Sequence, residues 1–112
     1  MHVRKFLALG LLALSLPAAA ELRTITEVYE VDMPDLRLPS IEGGTVSFKT
    51  CSECEFRTLR VRSGARFVLN GKDVTLKKFT MAVSNVANRE DLIIDVFHHL
   101  ESNTVTALMV RV

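Results

Sequence analysis

Cys51 and Cys54 are the only cysteines in the 112-residue sequence, and their C-x-x-C spacing supports three chemistries. Oxidised, the pair closes a four-residue loop, worth only about 2 kcal/mol in the chain-entropy model, so its main work would be to fix a turn. Reduced, it is either a redox dithiol or half of a tetrahedral zinc knuckle. A redox dithiol needs a thiolate stabilised by its surroundings, typically at a helix N-terminus. Glu53 and Glu55 flank the thiols with negative charge and oppose that. A zinc site needs two further ligands. The candidates are His98 and His99, and because successive strand residues point to opposite faces, only one of them, taken as His98, can join Cys51 and Cys54. Glu55 stands where c-type haem attachment requires histidine. The structural disulfide is the preferred reading, with redox or metal handling by Cys51 and Cys54 as the alternative.

No nucleophile elbow, phosphate-binding glycine loop or metalloprotease helix occurs, so no catalytic residue and no cofactor is expected. The second feature with functional potential is charge. Residues 49–78 carry eight basic and three acidic side chains, between flanks that are net acidic. The expected function is that of a non-catalytic binding or accessory module, which would contact an acidic protein or an anionic envelope component through a sheet edge or through a basic strand face made by Arg57, Arg60 and Arg62. The preferred competing expectation is that these basic strands pair with the acidic N-terminal strand, where opposite charges on neighbouring strands stabilise each other by a few tenths of a kcal/mol. Nucleic acid is not an expected partner, and oligomeric state is left open.

The first twenty residues bear on which chemistry applies. Arg4 and Lys5 precede an eleven-residue apolar run, Phe6 to Leu16, and Ala18-Ala19-Ala20 follows. This is the pattern of a secretory signal peptide cleaved before Glu21, and the run is too short for the roughly 20 apolar residues a spanning helix needs. The expectation is a soluble exported protein, periplasmic or secreted, with no membrane span in its mature chain. In such a compartment two nearby cysteines oxidise. Losing Arg4 and Lys5 moves the formal charge from +1 to −1.

Residues 21–112 then form one domain, expected to be α+β and predominantly antiparallel: a small sheet of consecutive hairpins with one short helix. Residues 22–31 read as a strand with Ile25, Tyr29 and Val31 on one side. Thr45–Thr50, the cysteine turn and Glu55–Arg62 read as strand, turn, strand, with Leu59 and Val61 inward and Arg60 and Arg62 outward. Ser63-Gly64-Ala65 is expected to turn the chain so that Val61 pairs with Phe67 and Leu59 with Leu69, a three-residue loop whose left-handed position falls on Ala65 instead of Gly64. Asn70-Gly71 suits a two-residue type I′ hairpin, which requires positive φ at both positions. Leu76, Phe79, Val83 and Val86 recur at helical spacing, predicting a helix over 76–85 capped by Asp73 or Thr75, with a strand as the alternative because Phe79, Met81 and Val83 also alternate with Thr80, Ala82 and Ser84. In the last hairpin, a loop at Glu101-Ser102-Asn103 with Asn103 left-handed aligns Ile94 and Val96 with Val110 and Leu108. His98 is then half-buried against Thr106, and Asp95 lies diagonal to Arg111.

Overall fold

The computed structural model describes residues 25–112; the expected signal segment lies outside them. Alternation of apolar and polar residues produces β1 (Thr26–Asp32), β2 (Leu36–Arg37), β3 (Thr45–Phe48), β4 (Arg57–Leu69), β5 (Lys72–Val74), β6 (Ile93–His99) and β7 (Thr104–Val110). One helix, α1 (Leu76–Ser84), follows β5. The strands form one sheet in the order β1-β6-β7-β4-β3-β2, with β5 on β4. β1 and β2 stand at opposite ends of that order, yet only the 3-10 turn Met33–Asp35 joins them. The sheet must therefore curl. Tyr29 of β1 accordingly packs its ring on Phe48 of β3, centroids 5.5 Å apart.

Inward-facing residues fill the concave side. Val46, Phe48, Ile94, Val96, Val105 and Leu108 are fully buried, and α1 lays Leu76, Phe79 and Val83 over them. The Phe67 and Phe79 rings meet at 5.9 Å. The helix begins as its sequence predicts: Thr75 accepts a hydrogen bond from the Lys78 N–H at 3.1 Å, supplying one of the four donors a helix N-terminus leaves without partners. Asn70 and Gly71 take φ of 53° and 86°, the conformation that closes the β4–β5 hairpin.

Three expectations need correction. The sheet is mixed, because β4 and β7 run parallel. One edge of β4 is taken by β3 and β5, and the β6–β7 hairpin supplies β7 to the other, matching Val61 to Val105 and Phe67 to Leu108. Ser63-Gly64-Ala65 does not reverse the chain. It forms an irregularity inside one thirteen-residue strand, where Gly64 with φ 81° bends β4 while Val61 and Phe67 both stay inward. The last loop is one residue longer than expected. Ile94 pairs with Val110 and Val96 with Leu108 as read, but a bulge at Thr106–Ala107 shifts the tip so that His99 faces Thr104. His98 therefore lies opposite Val105 and is fully buried, 4% exposed.

Candidate functional site: the arginine face and the cysteine turn

Cys51 and Cys54 form a disulfide with their Cα atoms 5.1 Å apart, in a turn closed by the Cys54 N–H donating to the Cys51 carbonyl at 3.1 Å. The turn links β3 to β4, so no helix N-terminus adjoins Cys51, and a thiolate would lack the usual source of stabilisation. Its base is held from β2 and the preceding 3-10 turn. The Lys49 main-chain N–H donates to the Asp35 carbonyl at 2.9 Å, and Lys49 Nζ stands 3.7 Å from the Asp35 carboxylate. Lys49 also donates to the Ser52 carbonyl at 3.3 Å, while the Arg37 guanidinium lies 4.2 Å from the centre of the Phe56 ring. The disulfide thus fixes the entry of β4, where Arg57 pairs with Phe48.

His98 is not brought to the cysteines. Its Nδ1 meets the Tyr29 hydroxyl at 3.2 Å and its Nε2 meets Asn103 Oδ1 at 2.8 Å, so both ring nitrogens are engaged. Among the described residues, no three His, Cys, Asp or Glu side chains converge as a metal site would require. Tyr29 in turn donates to Glu27 at 2.7 Å, giving a network along the inner side of β1 and β6. Sequence reasoning missed it because Tyr29 and His98 are 69 residues apart.

Strand parity divides the three arginines. Arg57 shares the inward side with Leu59 and Val61, and its guanidinium covers the Tyr29 and Phe48 rings at 5.5 and 5.8 Å from their centres. Arg60 and Arg62 occupy the outer face. Register sets Arg60 beside Thr45 of β3 and Thr104 of β7, and Thr58 beside Ser47, whose hydroxyls meet at 2.8 Å. Arg62 donates to Ser102 Oγ at 2.9 Å, and Ser102 Oγ also meets Thr104 Oγ1 at 2.7 Å and His99 Nδ1 at 2.9 Å. This half of the outer face presents arginines among hydroxyls, with Arg37 continuing it beside Ser47.

The expected neutralisation by the acidic N-terminal strand does not occur, because β1 pairs with β6. β3 and β7, the neighbours of the arginine stretch, contain no acidic residue. Only two ion pairs form among the described residues, Lys49–Asp35 and Arg66–Asp73, so none of the described carboxylates lies within 4 Å of Arg57, Arg60 or Arg62. Asp95 likewise has no ion pair with Arg111. A groove of about 540 Å³ between the 39–42 loop and α1, lined by Pro39, Ile41, Leu76 and Met81 among others, lies apart from both features. No helix among the described residues is long and apolar enough to cross a membrane. No protein-family model, curated protein or solved structure matches the chain.

Proposed function

We propose that this chain is a small exported accessory module without catalytic activity, which binds an acidic protein or an anionic envelope component through the outer arginine face. Residues 1–20 act as its signal peptide, and the Cys51–Cys54 bridge is structural. One observation carries the reading: Arg60 and Arg62 stand exposed on a sheet face between strands that have no acids, with no ion pair to a carboxylate among the described residues. Exposed guanidiniums spaced two residues apart along a strand, about 7 Å, suit oxyanions repeated along a chain. Hydroxyls from Ser47, Thr58 and Thr104 add neutral hydrogen bonds to the same face.

Retention on a sulfated-polysaccharide column tests it. The wild-type protein elutes at higher salt than R60E/R62E, because each contact made through a guanidinium is screened by ions. K77E/K78E changes net charge equally but on the helix, and it should elute near wild type. Equal losses from both variants would reduce the effect to net charge and remove the face. R57E distinguishes the inner arginine, and its elution stays close to wild type.

A further inference from the structure

β1 ends the sheet, and the described residues place no strand on its other edge. The hydrogen bonds at its two ends reveal which main-chain groups that edge exposes. The Leu100 N–H donates to the Ile25 carbonyl at 2.8 Å, and the Met33 N–H donates to the Leu92 carbonyl at 2.9 Å. In an antiparallel ladder, hydrogen-bonded pairs alternate with non-hydrogen-bonded ones. Ile25, Glu27, Tyr29, Val31 and Met33 therefore direct their N–H and C=O groups to β6. Thr26, Val28, Glu30 and Asp32 direct theirs outward, and these are also the residues whose side chains lie on the outer face.

Side chains on that half of the face carry a second feature. Glu30 is directly opposite Asp95, in a non-hydrogen-bonded pair, where side chains approach most closely. Like charges so placed oppose the pairing, and no cation among the described residues lies within 4 Å of either. Val28 and Ile93, each 50% exposed, flank them, with half-buried Phe97 beside Val28. Carboxylates and apolar groups thus lie side by side along an edge that no described strand occupies.

We propose that β1 accepts an added strand: an extended, cationic segment of a partner protein, bound through the main chain of Val28 and Glu30, with a lysine or arginine beside Glu30 and within reach of Asp95. An apolar side chain of the same segment covers Val28 and Phe97. This surface is separate from the arginine face and does not depend on it. A second copy of the chain is a poor occupant, because β1 against β1 would set Glu30 and Asp32 near the same carboxylates. A cation is what the edge lacks, and pockets for alternate side chains with main-chain hydrogen bonds are how added strands are recognised.

The test uses three capped seven-residue peptides: alternating Val and Lys, alternating Val and Glu, and the Val/Lys peptide with alternate backbone nitrogens methylated. The Val/Lys peptide binds at least about tenfold more tightly than either of the others, and E30Q/D95N lowers its affinity by about tenfold. That variant relieves repulsion, so its urea midpoint stays at or above wild type and lost binding cannot be blamed on unfolding. Hydrogen exchange supplies the decisive signature. Without peptide, the amides of Val28 and Glu30 exchange fast and those of Tyr29 and Val31 slowly; the peptide slows Val28 and Glu30. Methylated peptide binding as well as its parent would leave only charge attraction and overturn the proposal. Protection of Val28 and Glu30 in the free protein would overturn it too, since the edge would already be covered by this chain or a second copy. Unchanged retention on the sulfated column by E30Q/D95N separates the outcome from that of the arginine face.

Discussion

Tyr29 and His98 meet across β1 and β6, with the phenol oxygen 3.2 Å from Nδ1 of an imidazole that is 4% exposed. The contact is diagonal in the ladder, since Tyr29 faces Val96 and His98 faces Glu27. It supplies the partner for a buried ring nitrogen from a half-buried phenol. Y29F keeps the ring on Phe48 and removes that partner. We expect a loss of about 1–3 kcal/mol, the usual penalty for stranding a buried polar group. Urea unfolding should show a lower midpoint with an unchanged slope; an unchanged midpoint would mean that water takes the place of the hydroxyl.

Reducing the Cys51–Cys54 bond, or replacing both residues by serine, should cost about 2 kcal/mol, because only a four-residue loop is freed. The core lies elsewhere, so the sheet remains folded. Exchange should accelerate in residues 49–56 and stay slow in β6 and β7. Retention on the sulfated column survives reduction if the bond is structural. Its abolition by reduction alone would favour the thiol-based alternative.

Gly64 holds φ 81° with nothing within 4 Å of where a Cβ would project. G64A therefore costs only backbone strain, about 1 kcal/mol, and G64N costs less because asparagine tolerates the left-handed region. Thermal unfolding of the two variants gives the order. A larger loss for G64N would show that side-chain space at the bend, not backbone angle, is limiting.

Lys77 occupies the first turn of α1, where no acidic residue complements the helix dipole. K77E should stabilise the protein by about 0.3–1 kcal/mol, and 0.5 M salt should diminish the gain. T75A moves the other way by about 1 kcal/mol through loss of the cap to Lys78 N–H, whereas T75S retains most of it. Chemical denaturation at two salt concentrations distinguishes the charge effect from the cap.

Local features were legible in the residues, and pairing was not. Asn70-Gly71, the helical spacing of Leu76, Phe79 and Val83, and the left-handed Asn103 each depend on a few neighbouring residues, and each appears where expected. Ser63-Gly64-Ala65 misled because a glycine suits a bend within a strand as well as a reversal; the left-handed residue is Gly64, where the reversal needed Ala65, and only the arrival of β7 decides between them. The partner of β1 was invisible for the same reason: β6 lies more than sixty residues downstream. Charge suggested a basic strand beside the acidic one, but core matching set β1 on β6 and left Glu30 facing Asp95. The division of the arginines was within reach, since inward Leu59 and Val61 already require Arg57 to share their side. The Tyr29–His98 contact carried no local signal at all.

β7 occupies an interior place in the sheet although it follows every other described strand in the chain. Until it inserts between β6 and β4, the chain has two separate groups of strands with their apolar faces uncovered, and neither can stabilise the other. Loop-closure entropy must be met before those distant contacts form, which makes such topologies slow to fold. The sheet thus stays open until β7 has docked. Substitutions that shorten the buried side chains of Val105, Leu108 and Val110 should therefore slow refolding as well as lower stability.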